Sequence, residues 1–320
     1  MKAAVYYETG PPEVFRYEDV ADPVCYEGGV IVDVEAISIE GGDTLNRAGG
    51  DMPAVPHVVG YQCAGTISEV GAGVTDRRVG QRVVATNLWG SHAERTAVPA
   101  ILTWLIPDGA DVITAACVPV AFGTADDCLF EFGHLRAGET VLIQAGAGGV
   151  GVAAIQLAKR AGATVIATAS SDDRLERVKP FGLDHGVNYS HDDWVDTVRA
   201  ITSGRGVDLV VDSVGGRILN GSVRCLAYRG RCITVGSAGR EPQPFDAGML
   251  SMGNQSLTGV FLGAEIATPR AQAMIDGLIN DVAAGRLHVE IDRTYPLAEA
   301  AAAHAYVESR LAVGRVVLIP

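Results

Sequence analysis

A glycine-rich turn between two apolar segments constrains the fold of this chain most strongly. Residues 140–143 form an apolar run with the length of a buried strand, and residues 152–159 follow helical spacing. Between them, Gly146, Gly148 and Gly151 satisfy the pattern G-x-G-x-x-G. In a strand–turn–helix unit these glycines permit the tight turn, the approach of a pyrophosphate to bare backbone, and close packing of the helix. We therefore predict a dinucleotide site at the helix N-terminus, with an ordinary glycine turn of an α/β sheet as the alternative.

The same stretch resembles a known family. Residues 138–159, GETVLIQAGAGGVGVAAIQLAK, match the signature of the zinc-independent quinone oxidoreductases, which include zeta-crystallin and form a branch of the medium-chain dehydrogenase/reductase superfamily. The resemblance extends over nearly the whole chain. It implies a GroES-like, β-rich catalytic domain at residues 1–121 and 265–320, and a Rossmann NADPH-binding domain at residues 122–264.

The order of the predicted elements agrees with this division. Short β-branched segments separated by glycine or proline precede position 111, which is typical of a β-rich domain with little helix. From Thr140 onward, apolar strands alternate with helical patterns, so the fold class is predicted to be α/β with a doubly wound parallel sheet. The tail returns to a strand near 288–294, a helix at 297–309 and a final strand at 315–319.

Charge and composition exclude several classes of partner. The formal net charge of −13 predicts repulsion from phosphate backbones, so we expect no nucleic-acid partner. No apolar run approaches the ~20 residues that a bilayer span requires, so we expect no membrane partner. The opening residues carry no secretory signal, and the six cysteines are scattered without a CxxC pair. We therefore expect a cytoplasmic protein with reduced thiols.

The segment after the second alternating strand bears on which dinucleotide is bound. An NAD site usually has Asp or Glu at the end of this strand, but the carboxylates at 172–173 come later and suit the first turn of a helix. Arg174 could face a 2′-phosphate with Ser170 donating a hydrogen bond, or it could be a solvated surface residue. In the family that this chain resembles, a Lys at the position of Arg174 and a Tyr at the position of Tyr189 contact that phosphate. We predict NADPH rather than NADH.

Further cofactor contacts are implied by the resemblance. In the glycine turn, Gly149 and Val150 are also expected to contact the cofactor. Thr124 is expected against the nicotinamide ring, and the backbone at Val260 and Phe261 against its carboxamide. Gly236 and Ser237 are expected beside its ribose. Arg315, just before the last strand, could reach the cofactor phosphates or lie at the surface.

The ligand positions of zinc alcohol dehydrogenases in the same superfamily are occupied by other residues. The Gly-His-Glu triplet of those enzymes corresponds to Gly60, Tyr61 and Gln62, and the place of their first Cys falls near Ile39 and Glu40. Without a cluster of soft ligands, we predict no zinc site. A quinone or an α,β-unsaturated carbonyl accepts hydride into a delocalised system. It therefore needs little beyond an aligned cofactor and a hydrogen bond to its oxygen.

Candidate catalytic residues lie in the segment 40–47 and at Tyr61. In the quinone oxidoreductases this segment carries Asn, then Asp three residues later and Arg four after that. Asp43 and Arg47 match, and we predict an ion pair between them that shapes the pocket. Glu40 stands where Asn is usual; its carboxylate could repel an anionic substrate, or donate a proton if burial raises its pKa. Tyr61 could donate to a carbonyl oxygen or serve as an aromatic wall.

Together these features predict an NADPH-dependent reductase that transfers hydride to a quinone or an activated enone. Two alternatives remain open: an enoyl or 2-enoate double-bond reductase, and an NADPH-binding protein without fast catalysis that has a crystallin-like structural or regulatory role. The apolar segment 256–262 is predicted to be an exposed edge strand of the parallel sheet. Because such an edge invites pairing across a two-fold axis, we also predict a homodimer.

Overall fold

Contacts along the chain divide it into two compact units. The computed structural model describes residues 1–191, 193–241 and 244–320. The first unit comprises Met1–Val120 and Glu265–Pro320, and the second comprises Ala121–Ala264. The first unit is therefore built from both ends of the chain.

Strands dominate the early part of the chain and alternate with helices later. The strands are β1 (Lys2–Tyr6), β2 (Arg16–Asp19), β3 (Gly29–Ser38), β4 (His57–Val58), β5 (Gln62–Val70), β6 (Arg82–Thr86), β7 (Arg95–Pro99), β8 (Thr103–Leu105), β9 (Thr140–Ile143), β10 (Thr164–Ala169), β11 (His185–Asn188), β12 (Val207–Asp212), β13 (Leu226–Thr234), β14 (Ser256–Gly259), β15 (Ile291–Pro296) and β16 (Arg315–Ile319). The helices are α1 (Gly41–Gly49), α2 (Val112–Ala115), α3 (Pro119–Asp126), α4 (Gly149–Arg160), α5 (Asp172–Val178), α6 (Trp194–Ile201), α7 (Gly216–Arg224), α8 (Leu262–Glu265), α9 (Pro269–Ala283) and α10 (Ala300–Glu308). Among the described residues, no helix combines the length and the apolar character that a bilayer crossing requires.

β3 is the central strand of the first unit. It pairs antiparallel with β5 along most of its length, with β7 through its first half, and with β16 at its end. The larger sheet runs β15-β16-β3-β5-β6-β8, while β1 joins β2 and β4 in a separate sheet. Apolar side chains from β3, β5, β6 and β16 meet those of α10 in one buried cluster. This is the β-rich architecture that the short, β-branched segments predict.

The second unit contains a parallel sheet in the order β11-β10-β9-β12-β13-β14. Counted from β9, the described order is 3-2-1-4-5-6, in which the order reverses between β9 and β12. Val141, Leu142 and Ile143 of β9 are all fully buried, as expected for a strand covered on both faces. The prediction of a doubly wound parallel sheet is confirmed.

Two elements differ from their predictions. The sequence pattern does not predict α1, because three of its nine residues are glycine, a poor helix former. The helix is stabilised instead at its start, where the Asp43 carboxylate accepts a hydrogen bond of 2.8 Å from the backbone N–H of Glu40. The edge strand predicted at 256–262 ends earlier, since β14 stops at Gly259 and α8 begins at Leu262.

Candidate functional site

The glycine turn connects β9 to α4 with very little space around two of its glycines. A Cβ atom on Gly146 would lie 2.7 Å from the Cβ of Ala167, and one on Gly151 would meet the carbonyl oxygen of Ala145. Gly148 caps α4 in an extended conformation, and a Cβ there would have only the Ala145 carbonyl oxygen nearby, at 3.3 Å. The turn is therefore closed toward the sheet and open at the helix N-terminus.

The start of α4 offers donors for an anion. The first hydrogen bond of the helix runs from Val152 N to the carbonyl oxygen of Gly148. The N–H groups of Gly149, Val150 and Gly151 precede that bond, so they have no acceptor within the helix. Together with the positive end of the helix dipole, they suit a pyrophosphate. The residues predicted to hold the phosphates of a dinucleotide thus fit that group.

A buried polar network, which the sequence analysis missed, supports this turn. Thr168 Oγ1 donates to Gln144 Oε1 (2.6 Å), Gln144 Nε2 donates to Ser222 Oγ (3.0 Å), and Ser222 Oγ donates to Asp212 Oδ2 (2.7 Å). Thr168 Oγ1 also accepts from the backbone N–H of Ala145, in the turn itself (3.3 Å). Because every side chain of the network is buried and hydrogen-bonded, the network fixes the turn against three strands. Three of its four members, Gln144, Thr168 and Asp212, are polar residues at or next to the carboxyl end of a buried strand, and that pattern is the sequence signal for the network.

Ser170, Arg174 and Tyr189 come together at the carboxyl end of β10. Arg174 Nη1 donates to Ser170 Oγ at 3.3 Å, and the backbone N–H of Tyr189 donates to the carbonyl oxygen of Ala169 at 3.0 Å. Ser171 caps α5 by accepting from the backbone N–H of Arg174. Arg174 is half-buried, so it is not the fully solvated helix-surface residue of the alternative interpretation. The guanidinium of Arg174 and the hydroxyl of Ser170 therefore lie together, and the backbone of Tyr189 is bonded to the end of the same strand.

Gly236, Ser237 and Val260, three of the residues predicted at the nicotinamide half, lie at the same edge of the sheet as the glycine turn. Gly236 and Ser237 follow the carboxyl end of β13, and the backbone N–H of Val260 after β14 donates to the carbonyl oxygen of Thr234. Parallel strands present their carboxyl ends at one edge, where α/β sheets bind ligands. Phe261 is 68% exposed. Thr124 is buried within α3.

In the first unit, a buried polar cluster surrounds Glu40. Arg315 forms an ion pair with the Glu40 carboxylate and donates to Ser38 Oγ at 2.6 Å and to the carbonyl oxygen of Ile39 at 2.9 Å. Gln62 Nε2 donates to Glu40 Oε1 at 2.5 Å. Burial raises the pKa of Glu40, and the Arg315 charge opposes that rise. With donors from Arg315, Gln62 and Ser38 on one oxygen, Glu40 is arranged as a carboxylate acceptor.

These contacts correct two predictions. Arg315 is a buried partner of Glu40, neither a surface residue nor a side chain directed at phosphates. The predicted ion pair between Asp43 and Arg47 is wrong: Arg47 pairs with Glu308 and donates to the carbonyl oxygen of Gly10. Asp43 Oδ2 instead accepts from the backbone of Glu40, and burial raises the pKa of Asp43 well above its usual range. The partner Glu308 lies far along the chain, so spacing could not reveal it.

Tyr61 packs against α1. A Cβ atom on Gly42 would lie 2.7 Å from the Tyr61 hydroxyl oxygen, so the glycine makes room for the ring. Asn46 Nδ2 donates to that hydroxyl at 2.9 Å. Burial, and next the charge of Asp43, raise the pKa of Tyr61, which keeps the phenol protonated at neutral pH. The sequence analysis did not single out Asn46.

Comparison with known proteins identifies the family. Residues 149–278 match the model for the family Zinc-binding dehydrogenase, and residues 26–108 match Alcohol dehydrogenase GroES-like domain. The chain is 35% identical to a quinone oxidoreductase of Pseudomonas aeruginosa over 97% of each protein. It is 34% identical to a 2-haloacrylate reductase of a Burkholderia species, over 99% of this chain and 98% of that protein. The crystal structure of Escherichia coli quinone oxidoreductase with NADPH matches 100% of both chains with a TM-score of 0.95 and 29% identity. The chain belongs to the quinone oxidoreductase branch of the medium-chain dehydrogenase/reductase superfamily.

This membership confirms the predicted fold class, with a Rossmann sheet and a GroES-like domain. The positions that bind zinc in other members of the superfamily are used differently in this quinone oxidoreductase-branch protein. Tyr61 accepts from Asn46, and Glu40 pairs with Arg315. Within residues 1–191, 193–241 and 244–320, no group of three or more His, Cys, Asp or Glu side chains is arranged to hold a metal ion.

Proposed function

We propose that this chain is an NADPH-dependent reductase that transfers hydride to a quinone or an activated α,β-unsaturated carbonyl without zinc. The observation that carries the proposal is the open N-terminus of α4, together with Arg174, Ser170 and Tyr189 at the end of β10. The NADPH complex of the Escherichia coli relative supports the choice of cofactor, and the Pseudomonas relative supports the choice of acceptor.

The second unit has separate groups for each part of the cofactor. The N–H groups of residues 149–151 hold the pyrophosphate, and Arg174, Ser170 and Tyr189 hold the 2′-phosphate. The residues assigned to the nicotinamide half are Thr124, Gly236, Ser237, Val260 and Phe261. When bound, NADPH supplies the hydride, which is chemistry of the cofactor itself.

On the acceptor side, Tyr61 is the proton donor in this proposal. Its hydroxyl accepts a hydrogen bond from Asn46, so its own proton is available to the oxygen of a carbonyl or quinone. A hydrogen bond to that oxygen stabilises the negative charge that develops as hydride arrives. Glu40 does not donate a proton, because it is held as a carboxylate by Arg315. Glu40, Asp43 and Arg47 instead shape the segment that packs against Tyr61.

The charges of the Glu40 cluster favour a neutral acceptor. The two guanidinium groups nearby, those of Arg47 and Arg315, each form an ion pair with a glutamate. A carboxylate substrate would have to compete with Glu308 or Glu40 for them. The Burkholderia relative is named for a haloacrylate, and a 2-enoate double-bond reductase is therefore the second candidate. Binding of NADPH without turnover of any acceptor would favour the third, a structural or regulatory role.

The deciding experiment follows NADPH and NADH oxidation with 1,4-benzoquinone, a neutral 2-enone and a 2-enoate, with a metal chelator present throughout. We expect turnover of the neutral acceptors with NADPH, unaffected by the chelator. Preferred turnover of the 2-enoate would support the second candidate. Loss of activity on chelation would contradict the zinc-free mechanism. Absence of turnover with every acceptor would contradict the reductase function.

Replacing Arg174 with alanine is expected to raise the KM for NADPH by about 10- to 100-fold and to leave the KM for NADH unchanged. The reason is that a charge-assisted hydrogen bond contributes about 1.5–3 kcal/mol, and NADH lacks the phosphate that would accept it. Steady-state kinetics with both cofactors measure the effect. Arg177→Ala, one turn further along α5 and exposed, is the matched control. Equal losses with both cofactors would argue against Arg174 as the phosphate-binding residue.

We also propose that the protein is a cytoplasmic homodimer that pairs through β14. Support comes from the position of β14 at the edge of the parallel sheet, where one side of the strand has no neighbouring strand among the described residues. Light scattering at micromolar concentration should give the mass of a dimer. A monomeric mass would contradict the proposal.

A further inference from the structure

Asn46 contacts Tyr61 through elements that hold both residues in place. Asn46 lies on α1, whose start is fixed by the hydrogen bond between Asp43 and the backbone of Glu40. Tyr61 directly precedes β5, and its backbone carbonyl accepts from the N–H of Asn87 at 2.8 Å. The absence of a side chain on Gly42 lets the phenol approach α1 closely enough for the 2.9 Å bond from Asn46 Nδ2. The contact is therefore built into two supported segments.

The direction of this hydrogen bond fixes where the phenol proton can go. An amide nitrogen donates only, so the Tyr61 oxygen uses a lone pair toward Asn46 and must point its O–H bond elsewhere. No described residue accepts that proton in a hydrogen bond from Tyr61. A half-buried phenol in this state can donate to a ligand without first breaking a bond within the protein.

We infer that Asn46 is the positioning residue for Tyr61: it directs the hydroxyl proton toward the acceptor oxygen and stabilises the phenolate that remains after proton transfer. This inference rests on the proposed function. In the proton step the O–H bond of Tyr61 breaks and an O–H bond forms on the acceptor oxygen; the hydride that gives this oxygen its negative charge would be supplied by bound NADPH. Water then returns a proton to the Tyr61 phenolate.

Asn46→Asp tests the inference, because it keeps the shape of the side chain and replaces the donor with an acceptor. The carboxylate introduced at position 46 is expected to accept the Tyr61 O–H bond and turn the proton inward. We expect kcat to fall about 10- to 100-fold at pH 7, with the dissociation constant of NADPH unchanged. Asn46→Ala, which removes one ordinary hydrogen bond of about 1 kcal/mol, is expected to lower kcat only about fivefold. Activity of Asn46→Asp should recover at lower pH as the new carboxyl group becomes protonated.

A double-mutant cycle with Tyr61→Phe separates positioning from a general structural effect. In the Tyr61→Phe background, Asn46→Asp should change kcat by less than about twofold, because no phenol proton remains to be redirected. Asn280→Asp, an exposed substitution of the same type on α9, is the matched control. Equal losses of kcat in both backgrounds would overturn the inference.

A titration of the Tyr61 phenol tests the role of Asn46 without requiring catalytic turnover. Absorbance near 295 nm, with the signal of Tyr61→Phe subtracted, reports the pKa of Tyr61. That pKa should rise in Asn46→Ala and rise further in Asn46→Asp, because the hydrogen bond to the phenolate is lost and a negative charge replaces it. If the wild-type protein turns over no acceptor, the proposed function fails. An unshifted Tyr61 titration in both variants would overturn the role of Asn46 whether or not the enzyme is active.

Discussion

Replacing Arg315 with methionine is expected to lower the free energy of unfolding by about 3–5 kcal/mol at pH 7. Removing one partner of a buried ion pair leaves the other charge without compensation, and that penalty is of this size. Here the substitution would leave the buried Glu40 carboxylate and the carbonyl oxygen of Ile39 without the guanidinium that now contacts both. Urea denaturation followed by circular dichroism measures the change.

Two further variants show whether the effect comes from the charge pair. Adding Glu40→Gln to Arg315→Met should recover part of the loss, because no buried carboxylate then lacks a cation. Arg286→Met, which breaks an exposed ion pair with Asp281, should cost less than about 1 kcal/mol. The penalty of Arg315→Met should also shrink as the pH falls, since protonation of Glu40 removes the unpaired charge. Equal stability of the single and double variants would contradict the coupling.

The second unit could be predicted almost entirely from the sequence, because local patterns determine it. Apolar runs such as that of β9, separated by helical spacing, leave a parallel sheet with covered faces as the consistent arrangement. The glycines at 146 and 151 are required by contacts within a few residues or with the neighbouring strand. The weaker predictions concerned element ends, as with β14, where α8 begins within the predicted strand.

The site in the first unit could not be predicted to the same extent, because its contacts connect distant parts of the chain. Arg47 and Glu308 are 261 positions apart, and Arg315 and Glu40 are 275 apart. The family resemblance predicts a pair between Asp43 and Arg47, but each has a different partner in the tertiary fold. The family resemblance identifies Glu40 as a departure from the usual Asn. Its state as a paired carboxylate required the position of Arg315.

Two buried histidines are expected to make the protein lose stability steeply as the pH falls below about 6.5. His92 and His304 lie with their Nε2 atoms 3.0 Å apart, against the ring of Phe15. Burial lowers the pKa of His92 to about 3, and burial, His92 and Arg47 lower the pKa of His304 well below its usual value. Between about pH 6.5 and 3, these two histidines therefore bind protons in the unfolded chain but not in the folded chain. The free energy of unfolding consequently declines as the pH falls.

The contribution of the two histidines can be isolated by comparing how steeply the free energy of unfolding changes with pH in wild type and in a variant that lacks both. Each such histidine contributes up to about 1.4 kcal/mol per pH unit, so the pair accounts for several kcal/mol across the range. Asp43 acts in the opposite direction, because burial raises its pKa well above the usual range and folding favours its protonated form. The test is therefore the difference between wild type and His92→Gln/His304→Gln in urea denaturation at about pH 4 to 7. The double variant should show a shallower fall in stability, while His185→Gln, at an exposed position on β11, should keep the wild-type slope. An unchanged slope in the double variant would mean that this pair accepts protons in the folded state.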